Sequence, residues 1–183
     1  MACDQEGLLG ERTAMGREEQ GVRGQARYAL IPRTLVLLFC RDQVLLLQGA
    51  PSKRIWPGRY NGMGGHLERG ESLLEAARRE LREEAGLETE DLHLCGLITL
   101  DAEPERGVLI AVFRGELPSC PRTHSSPEGT AEWFAIREAP NLPLVPDLYE
   151  VLPRVFSWKP DAPVFHAHSY YDEHEMLRVR FSP

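Results

Sequence analysis

The sequence has no apolar run long enough to cross a membrane, and its first residues contain no hydrophobic stretch typical of a signal peptide. It also lacks an excess of positive charge. The 21 Lys and Arg residues against 28 Asp and Glu residues give a formal net charge of −7. Proteins that bind nucleic-acid polymers usually present a basic face. We therefore expect a soluble, cytoplasmic protein that binds neither a membrane nor a nucleic-acid polymer.

Cysteine is scarce, and its spacing includes no Cys-x-x-Cys pair. The four cysteines are Cys3, Cys40, Cys95 and Cys120. Cys40 and Cys95 lie within apolar runs, where a free cysteine packs as a small hydrophobic residue. The alternative is a disulfide framework, which is typical of small secreted proteins. The pattern favours reduced thiols in the core.

The length of 183 residues suits a single domain with one substantial core. Residues 1–26 are rich in Gly, Glu, Gln and Arg and show no apolar periodicity. Such a segment buries too little surface to offset its ordering entropy. We expect a mobile tail over 1–26 and a folded domain over 27–183.

Short apolar runs dominate the folded part and predict strands, including a buried hairpin at its start. Glycine and proline predict a loop over 51–65. A second helix is expected over 147–158, interrupted or kinked at Pro153. This mixture predicts an α/β (α+β) fold, with a mixed sheet between helices. The predicted strands cover 34–39, 44–47, 92–100, 108–115 and 131–136, followed by a closing hairpin over 163–171 and 176–181.

The strongest helix signal spans 72–85. Ser72 can cap its first turn, and Glu75 three residues later completes a capping box. Gly86 stands where the helix should end. Leu74, Ala77, Leu81 and Ala85 recur at helical spacing and predict its buried face.

Three carboxylates crowd one side of this helix. Glu80, Glu83 and Glu84 are three and four residues apart. Two such charges about 5 Å apart repel by roughly 3 kcal/mol at an effective dielectric constant of about 20. A solvated charged face is the ordinary explanation of a Glu-rich helix. A hard divalent cation, which prefers oxygen ligands, would turn the repulsion into binding.

The spacing of the whole segment decides between these readings. Gly65, Glu71, Arg79-Glu80-Leu81, Glu83-Glu84 and Gly86-Leu87 occupy every defining position of the Nudix box, which this segment resembles without a departure. The resemblance implies a Nudix-type α/β/α sandwich and hydrolysis of a nucleoside diphosphate linked to another group.

It also implies a magnesium or manganese ion held by Glu80, Glu83 and Glu84, with the Gly65 carbonyl contributing. Glu83 is the candidate to act on the attacking water. We expect Arg79 to pair with Glu71 and to fix the loop against the helix.

Outside the box, the chain resembles the MutT-like oxidised-purine nucleoside triphosphatases. Asn61 matches an asparagine that binds the purine in those enzymes, although it also suits the turn before Gly62. Glu128 matches a glutamate that completes their metal site or acts as base, although it is equally an ordinary loop carboxylate. Arg33, where the resemblance begins, is a further candidate for substrate binding.

Residues 144–148 resemble a Trp-Pro-Asp-Asp stretch of the same enzymes. Asp147 matches the first aspartate, which faces the base. Val145 replaces the tryptophan that stacks on the base, and Leu148 replaces the second aspartate. These departures weaken the expectation of oxidised-purine specificity.

We therefore expect a metal-dependent enzyme that hydrolyses a nucleoside triphosphate to nucleoside monophosphate and pyrophosphate, with oxidised purine nucleotides as candidate substrates. Two alternatives stay open: a hydrolase of ADP-ribose or another nucleoside diphosphate conjugate, and a non-catalytic nucleotide-binding domain. The expected partner is a small nucleotide, and a homodimer is left open.

Overall fold

A mixed nine-stranded sheet forms the centre of the computed structural model, which describes residues 27–183. Two helices and one short 3₁₀ helix (Ala139–Asn141) connect its strands. The helices are α1 (Leu73–Ala85) and α2 (Leu148–Ser157). The strands are β1 (Ala29–Cys40), β2 (Gln43–Gly49), β3 (Tyr60–Asn61), β4 (His93–Asp101), β5 (Arg106–Glu116), β6 (Ser125–Ser126), β7 (Gly129–Ala135), β8 (Phe165–Tyr171) and β9 (Leu177–Phe181).

The strand order is β6-β7-β2-β1-β5-β4-β8-β9, with β3 paired to β2. Strand β1 runs parallel to β5, and β4 runs parallel to β8. The remaining strand pairs are antiparallel, including the predicted hairpins β1–β2 and β8–β9. The predicted mixed sheet is confirmed.

Residues 34–40 of strand β1 are all buried, and their side chains alternate between the two faces of the sheet. Leu35 and Leu37 belong to the same hydrophobic cluster as Val151 of α2. Val36 belongs to the opposite cluster, together with Leu81 of α1. One helix therefore covers each face of the sheet, which confirms the predicted α/β/α sandwich.

Helix α1 follows the sequence prediction closely. The Ser72 hydroxyl accepts from the Glu75 backbone N–H, and the Glu75 carboxylate accepts from the Ser72 N–H. Gly86 ends the helix in the left-handed conformation, at a φ of 68°. Ala77, Leu81 and Ala85 are buried as predicted.

Helix α2 runs without a break from Leu148 to Ser157, so an interruption at Pro153 is wrong, whereas a kink there stays a prediction. Pro153 cannot donate to the carbonyl of Tyr149, four residues earlier. Tyr149 is exposed, so water can satisfy that carbonyl.

The prediction of reduced cysteines holds for Cys95 and is wrong for Cys40 and Cys120. Cys95 is free and buried, and burial raises the pKa of its thiol to about 12. Cys40 and Cys120 form a disulfide across a sequence separation of 80 residues. Cys40 ends β1 and Cys120 follows β5. Because these strands are neighbours, both cysteines reach the same edge of the sheet. Cys3 and the predicted tail over 1–26 lie outside the described residues.

Within residues 27–183, no helix has the length and apolar character needed to cross a membrane.

Candidate active site

The loop before α1 is fastened to the edge of β1 by backbone hydrogen bonds. The Thr34 N–H donates to the Gly65 carbonyl at 2.9 Å, and the Val36 N–H donates to the Met63 carbonyl at 2.7 Å. A Cβ atom on Gly64 would lie 2.1 Å from the Thr34 carbonyl oxygen, so this approach requires glycine. The loop is thereby held beside the carboxylates of α1.

Glu84 is buried at the centre of this arrangement, with only 2% of its surface exposed. Its Oε2 accepts a hydrogen bond from the Gly64 N–H at 2.8 Å. The pKa of Glu84 is raised to about 7, mainly by burial and to a smaller extent by the negative charges of Glu80 and Glu128. The Gly64 N–H and the Lys53 ammonium partly offset this rise. Glu84 is therefore a buried acid poorly compensated by the protein itself.

Arg79 binds one acid of the preceding loop and two acids of α1. It donates to Glu71 at 2.8 Å, to Glu80 at 2.8 Å and to Glu83 at 3.3 Å. It also donates to the His66 carbonyl at 3.1 Å. The contacts with Glu71 and Glu80 raise the pKa of the Arg79 guanidinium, with Glu71 making the largest contribution. The predicted pairing of Arg79 with Glu71 is confirmed, and it fixes the loop against α1.

The donor set fits a hard divalent cation, although no three His, Cys, Asp or Glu side chains within 27–183 already surround a common point. Glu80 and Glu83 turn toward Arg79, while Glu84 turns toward Gly64. A Cβ atom on Gly65 would lie 2.3 Å from Glu80 Oε1, so glycine leaves room for that carboxylate. The Gly65 carbonyl, which accepts from Thr34, retains a second lone pair. These groups offer oxygen ligands only, as magnesium and manganese prefer.

All predicted site residues line one cleft of about 800 Å³. The structure brings together both groups of candidates, those for the metal and those for the substrate. They are Arg33, Asn61, Gly65, Arg79, Glu80, Glu83, Glu84, Glu128 and Asp147.

Glu128 lies in the turn between β6 and β7 and is 2.9 Å from the Lys53 ammonium. Its backbone carbonyl accepts from the Ala50 N–H at 2.9 Å, which ties this turn to the loop after β2. Lys53 is a cleft residue that no motif in the sequence indicated. The sequence pattern that could have indicated Lys53 is a group of three cationic residues in a Gly/Pro-rich loop just before an acidic helix. These residues are Lys53, Arg54 and Arg59.

Asn61 accepts a hydrogen bond within the turn before the box and also lines the cleft. Its Oδ1 accepts from the Gly62 N–H at 2.9 Å, as the turn interpretation requires. Within residues 27–183 its Nδ2 has no hydrogen-bond acceptor, so a residue that lines the cleft keeps an unused donor. The turn interpretation of Asn61 is therefore confirmed, and binding of a purine by its amide stays a prediction.

Asp147 precedes the first residue of α2 without capping the helix through its side chain. It is half-buried, and burial raises the pKa of its carboxyl group. Arg33 lies at the rim, where its Nε donates to His66 Nε2 at 3.1 Å. Both residues present polar groups to the cleft.

A model of the NUDIX domain matches residues 30–155. The chain belongs to the Nudix hydrolase family. It is 34% identical to the oxidized purine nucleoside triphosphate hydrolase of Mus musculus over 120 residues, which are 62% of this chain and 72% of that protein. It is 35% identical to the NAD-capped RNA hydrolase NudC of Pseudomonas aeruginosa over 115 residues, but spans only 39% of that enzyme.

Solved Nudix structures share the fold. A MutT protein from Bacillus halodurans superimposes with a TM-score of 0.70 at 25% identity, covering 84% of this chain and 99% of that protein. The NUDIX domain of Shewanella oneidensis NrtR, solved with ADP ribose, gives a TM-score of 0.64 at 16% identity, covering 78% of this chain and 97% of that domain.

The two departures noted in 144–148 have different structural outcomes in this Nudix domain. Val145 is buried and lines the cleft, so the wall there is aliphatic. Leu148 is 1% exposed and belongs to the hydrophobic core beneath α2. Leu148 therefore does not take part in the cleft lining.

Proposed function

We propose that this Nudix hydrolase cleaves purine nucleoside triphosphates, including oxidised ones, to nucleoside monophosphate and pyrophosphate in the presence of magnesium or manganese. The observation that carries the proposal is the single cleft shared by the box glutamates, Asn61 and Asp147. The similarity to an oxidized purine nucleoside triphosphate hydrolase supports this substrate class.

In this proposal, the divalent cation would be held by the Gly65 carbonyl and by the carboxylates of Glu80, Glu83, Glu84 and Glu128. When bound, the cation would act as a Lewis acid that neutralises phosphate charge and lowers the pKa of a bound water molecule. We assign to Glu83, whose side chain is 58% exposed, the role of accepting a proton from the attacking water. Arg79 orients the carboxylates by binding three of them at once.

The remaining polar groups divide between the phosphates and the base. Lys53 lies 2.9 Å from Glu128 and provides a cation on the side of the glutamates. Asn61 and Asp147 provide a donor and a carboxyl group for the edge of a purine. A purine edge carries both donors and acceptors, which suits this pair.

The test is a screen of purified protein against nucleotides with magnesium, in which the products are separated. The panel contains normal and oxidised purine triphosphates, pyrimidine triphosphates and ADP-ribose. Pyrophosphate and a purine monophosphate are the expected products, and a chelator should abolish them without unfolding the protein. Glu83→Gln is the control for contaminating activity. Preferred cleavage of ADP-ribose, or binding of nucleotides without turnover, would overturn the proposal.

A further inference from the structure

We propose that Trp56 provides the aromatic surface on which the nucleotide base stacks, where Val145 offers only an aliphatic wall. The inference rests on the proposed function for its substrate. Trp56 would then be a specificity-determining residue that no sequence motif indicated. Trp56 lies in the loop after β2 and lines the same cleft as the box glutamates.

Contacts of Arg59 place the Trp56 ring on the side of the cleft proposed to receive the base. The Arg59 guanidinium lies 5.4 Å from the centroid of the indole ring. Its Nη1 donates to the Leu144 carbonyl at 2.9 Å. The next residue, Val145, donates its N–H to the Tyr60 carbonyl at 2.9 Å. Through Arg59, Trp56 is therefore connected to the segment 144–147, which contributes Val145 and Asp147 to the cleft.

The indole ring of Trp56 is available for contact with a ligand, unlike the rings of the other two tryptophans. Trp133 and Trp158 donate their indole N–H groups to the carbonyls of Pro121 and Pro163. Trp56 is 38% exposed, and its indole N–H has no acceptor within the described part of the chain. A large aromatic ring, half-exposed inside a cleft, offers a flat surface for a base.

The backbone of Trp56 adopts a conformation that is unfavourable for a bulky residue. Its φ is +55°, in the left-handed region that favours glycine. The other non-glycine residues with positive φ in the described chain, Arg41 and Glu175, lie in the β1–β2 and β8–β9 turns. Pro57, which follows Trp56, further disfavours helical backbone at this position. Such unfavourable conformations concentrate at ligand-binding sites, where surrounding contacts maintain them.

In the first experiment, the substitutions Trp133→Phe and Trp158→Phe leave Trp56 as the only tryptophan, so tryptophan fluorescence reports on it alone. GMP is the probe, and ribose 5-phosphate is its base-free control. We expect GMP to quench the fluorescence of Trp56, whereas ribose 5-phosphate leaves it unchanged. Equal responses to both compounds, or no response to GMP at millimolar concentration, would overturn the proposal. This readout needs no turnover, so it remains decisive if the proposed hydrolysis fails.

The second experiment compares Trp56→Gly with Trp56→Phe in steady-state hydrolysis. Loss of a stacked ring should raise KM for GTP about five- to 150-fold. Hydrolysis of ribose 5-triphosphate should be unchanged, and Trp56→Phe should retain most of the affinity for GTP. Because glycine accepts the positive φ, Trp56→Gly should melt at or above the wild-type temperature. A lower melting temperature together with equal losses on both triphosphates would assign the ring to loop packing and overturn the proposal.

Discussion

At the scale of single residues, Glu84 combines a stability cost with a proposed function. Its carboxylate is removed from water and receives one backbone hydrogen bond, from Gly64. The folded pKa of about 7 exceeds the ordinary value of 4.5, so the folded state keeps this proton more tightly than the unfolded state. Glu84 therefore does not lower the free energy of unfolding below about pH 4.5. Stability is lost as the pH rises through about 7, because the buried carboxyl group must then ionise.

Glu84→Gln should therefore stabilise the metal-free protein at pH 8, by up to about 3 kcal/mol, and should abolish turnover. At pH 4.5 the variant and the wild type should differ little. Denaturant unfolding with a chelator at both pH values measures the difference, and other titrating groups cancel in the comparison. An equal difference at both pH values would contradict the assignment of the titration to Glu84.

Asn61 and Asp147 should act on base selection more than on chemistry. Removing a buried hydrogen-bonding partner costs about 1 to 3 kcal/mol, roughly a five- to 150-fold change in affinity. Asn61→Ala and Asp147→Ala should lower kcat/KM for the preferred purine triphosphate by that factor and leave a poor pyrimidine substrate nearly unchanged. Steady-state kinetics on both substrates tests this. Equal losses on all bases would show that the two residues only support their loops.

At the scale of elements, the loop–helix unit around α1 depends on glycines that serve different purposes. A Cβ atom on Gly65 would meet the movable end of the Glu80 side chain at 2.3 Å. A Cβ atom on Gly62 would meet the fixed carbonyl oxygen of Val36 at 2.6 Å. The first contact can be relieved by moving a carboxylate, whereas the second requires a shift of the backbone.

Gly65→Ala should consequently reduce kcat at least about ten-fold, because misplacement of a reacting group by about 1 Å can cost a hundred-fold in rate. Its melting temperature should change little. Gly62→Ala, the matched variant, should lower the melting temperature clearly. Thermal unfolding and kinetics of both variants test this assignment, which full activity of Gly65→Ala would refute.

At the scale of the whole molecule, the Cys40–Cys120 disulfide links the ends of neighbouring strands that are distant in sequence. Cross-links that close long loops restrict the unfolded chain, and their removal typically costs 2–5 kcal/mol. Cys120→Ser should lower the free energy of unfolding by about that amount, and a reductant should do the same to the wild type. Denaturant unfolding with and without reductant tests this. Equal stability of oxidised and reduced wild type would contradict it.

The sequence by itself determined the elements whose signals are local. The capping box and the glycine that ends α1 satisfy backbone groups within a few residues, so their pattern predicts the helix limits. The short apolar runs likewise predicted most strands. The box spacing, which places carboxylates on one helical face, identified the family before any contact was known.

Only the tertiary structure decided which distant residues meet. The Cys40–Cys120 pair depends on β1 lying beside β5, and the Lys53–Glu128 pair depends on two turns reaching the same cleft. Trp56 gains its place on the cleft wall through a contact between Arg59 and Leu144. No local pattern reports such pairings, because they arise from strand order and loop packing, which bring together chain segments far apart in sequence.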